Sequence, residues 1–183
     1  MSQKVNVLHL AIGKIFQDLL KDRRGFELLR DKACGGNQHI PMFCSSTKSK
    51  KSEYCNVDLM VLKNNKVKII IEIEESNVKP TQICGKFLTS ALARYFIHES
   101  KSNELIEMDD SVTFIQILDT SKLVKARTHK FMQWDELEES IRAVLPLKNS
   151  RTRRYALFYD RESDFNNKSN LNKLVSFVEE ACL

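Results

Sequence analysis

Apolar positions along the chain follow two rhythms, one helical and one strand-like. Leu8, Ile12, Ile15, Phe16, Leu19 and Leu20 recur every three or four residues, which gathers them into one stripe on a helix. That spacing predicts a helix over Val5–Lys21, broken by Arg23-Arg24-Gly25. A second short helix is expected over Phe26–Cys34, stopped by Gly35-Gly36. A short strand over His39–Cys44 comes next, and Ser45 to Ser52 has the composition of a loop. Two strands follow, Cys55–Leu62 and Val67–Glu74, joined by Lys63-Asn64-Asn65-Lys66 at hairpin length. Beyond Pro80, the residues Ile83, Phe87, Leu88, Ala91, Leu92, Tyr95 and Phe96 keep helical spacing. They predict one helix over Thr81–His98, with Thr81 as its N-cap. Val112–Leu118 and Tyr155–Tyr159 read as strands. Lys125–Val144 reads as a helix divisible around Gln133-Trp134-Asp135, and Asn170–Ala181 as a closing helix.

Antiparallel strands followed by alternating helices and strands imply an α/β fold, a mixed β-sheet flanked by helices. No repeat or linker divides the chain, so one domain over residues 1–183 is expected, long enough for a single core. Hydrophobic residues make up 42% and charged residues 29%, ordinary for a globular chain. No apolar run approaches the roughly 20 residues that cross a bilayer. Met1-Ser2-Gln3-Lys4 does not open a secretory leader, so no membrane partner and a cytoplasmic location are expected. Five cysteines without CxxC spacing argue against a zinc site and fit free, mostly buried thiols. A net charge of +5 does not by itself imply nucleic-acid binding, but its distribution matters. Lys48, Lys50 and Lys51 form one basic cluster, and Arg151, Arg153 and Arg154 another. Either suits phosphate contacts, and either also fits a solvated loop.

The most informative stretch is Lys68-Ile69-Ile70-Ile71-Glu72-Ile73-Glu74-Glu75. Side chains alternate across a strand, so Glu72 and Glu74 share one face while Ile69, Ile71 and Ile73 enter a core on the other. Adjacent carboxylates repel, and a hard divalent cation relieves that repulsion. With the turn centred on Asn64-Asn65, residues whose numbers sum to 129 or 130 face each other, which puts Asp58 across from the Glu72 region. Asp58, Glu72 and Glu74 are therefore expected to converge, with Glu75 pointing away. The plainer alternative is an exposed strand face bearing salt bridges to lysines.

Asp58 in Val57-Asp58-Leu59-Met60, a turn, then Ile71-Glu72-Ile73-Glu74 resembles the PD-(D/E)XK nuclease motif. The resemblance covers Cys55 to about His98 and implies a restriction-endonuclease-like fold that hydrolyses double-stranded DNA. It makes Asp58 and Glu72 metal ligands for Mg2+, with Mn2+ able to substitute. Two positions depart from the motif: Val57 stands where proline is common, and Glu74 where lysine is usual. Glu74 then becomes a base or a further ligand. Lys86 on the following helix either replaces the missing lysine or is a surface residue, and Gln82 is placed to face the site from that helix's first turn. Such nucleases often carry an acid on an early helix; Glu27 is the candidate, with Glu53 a weaker one. One site per chain implies a homodimer or a larger DNA-recognition subunit, as in the cleavage subunit of a heterodimeric type IIS enzyme. Repair, recombination and RNA nucleases share the resemblance, as do inactive binding or assembly modules.

Overall fold

The computed structural model describes residues 7–75, 78–98, 101–121, 123, 127–161, 165 and 168–183, without the side chains at 127–128 and 168–170. The expected helix starts at Val5 and Lys125 lie outside the described residues. The elements run α1 (Val7–Leu20), β1 (Phe26–Arg30), β2 (Pro41–Phe43), β3 (Glu53–Asn56), β4 (Leu59–Lys63), β5 (Lys66–Glu74) and α2 (Pro80–Leu92). They continue with β6 (Tyr95–His98), β7 (Glu104–Asp119), α3 (Arg127–Ala143), β8 (Thr152–Asp160) and α4 (Lys168–Cys182).

These strands form the mixed, helix-flanked sheet of an α/β fold. Its order is β1-β4-β5-β7-β6-β2-β3, with β8 also pairing β7. β1 and β5 each run antiparallel to β4 between them, whereas β5, β7 and β8 run parallel. The change of direction happens at α2, since parallel neighbours need a crossover and α2 supplies it. Opposite β5, one edge of β7 serves two partners because β7 is 16 residues long. Its first part pairs antiparallel with β6, and Val112–Asp119 lies against β8.

Alternation along β5 divides the core in two. Ile69, Ile71 and Ile73 pack with Leu59, Val61 and Ile115 against Leu8, Ile12 and Phe16 of α1 and Leu174 and Val178 of α4. Ile70, Met60 and Phe114 pack on the other side, with Ile83 and Phe87 of α2 and Trp134 and Ile141 of α3. A strand covered on both faces reads as a nearly continuous apolar run, which is how β4 and β5 read.

The β4–β5 turn is the two-residue loop Asn64-Asn65, with φ of 49° and 60°. Both values are left-handed, as a type I′ hairpin requires, and asparagine tolerates them. Leu59, Met60 and Val61 face Ile71, Ile70 and Ile69, but Leu62 faces Val67. Lys68 is thus an additional residue on β5, a bulge.

Several expected elements differ. Phe26–Arg30 is an edge strand, not a helix: Phe26 and Leu28 pack toward α1 while Leu29 packs toward the α2 side. Five residues with apolar groups on both faces carry no period that separates the two structures. The helix expected over Thr81–His98 ends at Leu92, and Tyr95–His98 is β6. Its aromatic and β-branched residues complete a hairpin with β7, and this pairing overrides accidental helical spacing. Lys79, not Thr81, is the N-cap of α2, with Pro80 in the first turn. The Cys55–Leu62 strand is split into β3 and β4, with Val57 and Asp58 between them. α3 runs unbroken through Trp134. Of the five cysteines only Cys34 and Cys182 are buried, and Cys84 is exposed. No helix among the described residues is long and apolar enough to cross a membrane.

Candidate active site

Asp58 sits immediately before β4, where continuing the β4–β5 register puts it across from Glu72. Its Oδ2 accepts the backbone N–H of Ile73 at 2.7 Å, so the carboxylate is folded over the end of β5. Its own carbonyl accepts the Asp31 N–H at 2.9 Å, tying the site to the end of β1. Glu72 is 1% exposed. Lys86, on the face of α2 turned to the sheet, donates to Glu72 Oε2 at 2.7 Å and lies 2.6 Å from Glu74 Oε1. The ammonium is therefore shared between the two glutamates that strand alternation puts on one face.

The electrostatics follow from burial. Burial pushes the Glu72 carboxyl up to about 8; Lys86 opposes this, and neighbouring Asp58 adds to it. Burial also raises Asp58, against the Ile73 N–H, Lys86 and His9, which favour its charged form. Burial alone would lower Lys86, but Glu72 and Glu74 more than offset it and hold the ammonium protonated. Asp58 and Glu72 are thus crowded, desolvated carboxyls that resist ionising together, and Lys86 is a fixed cation beside them.

A histidine outside the motif completes the surroundings. His9 of α1 has its Nδ1 2.8 Å from Glu75 Oε1, which also accepts the His9 backbone N–H at 3.0 Å. Its Nε2 is 3.8 Å from Asp58 Oδ1. Glu75 does turn to the α1 face, as alternation predicts, yet it reaches Asp58 through His9. α1 approaches closely because Gly13, one turn after His9, leaves room for the Cys34 carbonyl; a Cβ there would overlap it. On the other flank, Gln116 of β7 is the register partner of Glu72 and is fully buried. Its Oε1 accepts the Tyr155 hydroxyl at 2.7 Å, and its Nε2 has no partner among the described residues. A glutamine within the apolar run Val112–Leu118 was the available signal for this position. His9 offered none, since its partners are 49 and 66 residues away.

The other candidates fall elsewhere. Glu27 is on β1, opposite Leu62, four strand positions or roughly 13 Å from the level of Asp58. It pairs with Lys101 at 2.6 Å and has His98 at 3.6 Å, so it is a correction to the expected early-helix acid. Gln82 Oε1 accepts the Lys79 N–H at 2.9 Å and closes the start of α2. Glu53 accepts from Asn56 on β3. Glu74 is an ion-pair partner of Lys86 in place of a third converging carboxylate. Among the described residues no three His, Cys, Asp or Glu side chains form a ligand cluster.

The basic candidates are dispersed. Lys48, Lys50 and Lys51 are exposed on the loop between β2 and β3, and Lys48 donates to Asn103 at 3.2 Å. Arg151 pairs with Asp110 at 2.6 Å. Arg154 pairs with Glu180 and lies over the Phe177 ring, 4.8 Å from its centroid. Arg153 is exposed. Comparison with protein-family models, curated proteins and solved structures gave no match for this chain.

Proposed function

We propose that this chain is a metal-dependent DNA endonuclease that hydrolyses phosphodiester bonds. In this reading it is a restriction-enzyme-like cleavage subunit working as a homodimer or beside a larger DNA-recognition subunit. The observation that carries the reading is the placement of Lys86. The motif has glutamate where lysine is usual, and α2 returns a lysine ammonium to within 2.7 Å of Glu72 and 2.6 Å of Glu74. The strand order around it supports the same reading, because antiparallel β4 and β5 are followed by a helical crossover to parallel β7.

Asp58 and Glu72 fit a hard divalent cation such as Mg2+ or Mn2+: both offer oxygen donors, both are raised by burial, and Asp58 raises Glu72 further. When bound, that cation supplies charge against the charge developing on the phosphate and assists deprotonation of the attacking water. Lys86 is a charged hydrogen-bond donor, not a base, since Glu72 and Glu74 hold it protonated. It orients water or a phosphate oxygen at the mouth of the site, where its side chain is 35% exposed. Glu74 holds Lys86 in place, and His9 with the Ile73 N–H fixes the Asp58 carboxylate.

The test is cleavage of supercoiled plasmid with Mg2+ or Mn2+, with and without a candidate partner subunit. Lys86→Met should lower the rate by about 10²–10³, the usual cost of losing one charge-stabilising donor. Equal cleavage by wild type and Lys86→Met would sink the assignment. The absence of a three-residue ligand cluster among the described residues favours a second reading, a binding module that has lost catalysis. Binding of DNA without cleavage under every metal condition would select it.

A further inference from the structure

Away from the carboxylates lies a cleft with a volume of about 610 Å³. It opens where the end of α2, the β6–β7 hairpin and the segment entering β8 meet. Its floor is apolar and aromatic, formed by Ala93, Tyr95, Met108 and Leu147. Its rim carries four cations, Arg94, Lys148, Arg151 and Arg153, against one carboxylate, Glu107. Arg151 is held by Asp110, but Arg94, Lys148 and Arg153 form no ion pair with any described residue. Three exposed cations with no ion-pair partner among the described residues thus line one concavity, a charge balance that favours an anionic ligand.

We propose that this cleft binds an unpaired strand of nucleic acid, with phosphates on the cationic rim and a base on the floor beside Tyr95. The proposal rests on the nuclease reading for the identity of the anion. It deepens that reading by naming the substrate class, a nucleic acid with a single-stranded segment near the cut. The apolar floor decides between strand types. A duplex hides its base faces in the stack and would use only the rim, whereas an unpaired base gains from an aromatic floor. Position agrees. Lys86 to Ala93 is seven residues of α2, about 10 Å, which is roughly three nucleotides at the 3.4 Å step of a stacked strand. Met108 of the cleft faces Val67, five residues before Glu72 on β5, so cleft and carboxylates lie on paired strands. Ala93 and Met108 pack in the core on the α2 side of the sheet.

The test is fluorescence anisotropy of a labelled 20-nucleotide oligo(dT) and of a 20-base-pair duplex with the full chain in EDTA, where cleavage is suppressed. The triple variant Arg94→Ala/Lys148→Ala/Arg153→Ala should bind oligo(dT) at least tenfold more weakly. Its plot of log affinity against log salt should flatten by about 2, at roughly 0.7 per lost contact on a single strand. Tyr95→Ala should weaken oligo(dT) several-fold and leave the duplex unchanged, and Glu107→Gln should tighten both. Unchanged melting temperatures would show that the variants fold. Three results would each overturn the proposal: equal oligo(dT) affinity in wild type and triple variant, tighter binding of the duplex than of oligo(dT), and displacement of oligo(dT) by equimolar pyrophosphate. Asp58→Ala keeps the two readings apart. If it binds oligo(dT) normally while wild type cuts nothing with metal, the nuclease reading fails and the cleft stands. If wild type cuts but the triple variant binds normally, the cleft fails alone.

Discussion

The middle of α2 and the chain just beyond its end handle charge in opposite ways. At its midpoint, Lys86 is locked between Glu72 and Glu74 at 2.7 and 2.6 Å, and Asp58 is pinned by the Ile73 N–H. Beyond its end, Arg94 faces a cleft whose cations stand mostly alone among the described residues. The first arrangement is buried and holds each atom in one place, as bond-making chemistry demands. The second is solvated and adjustable, which suits a flexible polyanion whose phosphates need neutralising more than positioning. Burial is what separates them: Glu72 is 1% exposed, and the cations of the rim keep their water.

The largest break in this comparison should come from Asp58→Ala or Glu72→Ala. Either is expected to lower metal-dependent cleavage by about 10³ or more, with oligonucleotide binding in EDTA changed less than twofold. Parallel loss of binding and cleavage would mean the two regions are not separate. A pH effect should be next. In metal-free buffer the folded chain keeps a proton on Glu72 up to about 8, whereas the unfolded chain loses it near the ordinary 4.5. The folded state then binds more protons between those values, so stability falls as pH rises through the window and levels off above it. The loss is at most about 5 kcal/mol for a carboxyl raised from 4.5 to about 8. Denaturant melts of wild type and Glu72→Gln read it directly, and a flat difference across the window would contradict it. Divalent cation should restore stability at pH 8 in wild type alone.

A smaller effect is expected at His9. His9→Ala leaves both ligands in place and removes the group standing between Glu75 and Asp58, so cleavage should fall about tenfold, roughly 1.4 kcal/mol, with cleft binding unaffected. Glu27→Gln should do least. Its exposed pair with Lys101 is worth less than about 1 kcal/mol, and cleavage should stay within twofold of wild type. A large loss there would return Glu27 to the site.

What could be read from the chain depended on whether the signal was local. The β4–β5 hairpin was legible because two apolar runs flank an asparagine pair, and side-chain alternation put Glu72 and Glu74 on one face. α1, α3, β8 and α4 were legible for the same reason, with described ends that differ by one to three residues. β1 and β6 were not. Both are short segments whose identity is set by partners far along the chain, β4 for one and β7 for the other. The first half of β7, Glu104 to Ser111, is acidic and polar enough to read as loop. At the site, Asp58 and Glu72 meet as the register implied, while the role of Lys86 stayed open because helix phase does not say how far a lysine reaches. His9 and Gln116 enter the site only by packing, one from α1 and one from across β7.

The bulge at Lys68 has a geometric consequence. Near the turn the paired residues sum to 129, and toward the site they sum to 130, so this one residue shifts the phase of everything beyond it. Were Lys68 paired with Val61 in an unbroken ladder, Asp58 would face Ile71, and its carboxylate would be delivered to the α1 side of the sheet while Glu72 stayed on the other. A single-codon deletion at Lys68 would remove the bulge and keep Asp58 across from Glu72, whereas a slip that drew Lys68 into the ladder would separate the two carboxylates by the thickness of a β-sheet while every side chain kept its identity.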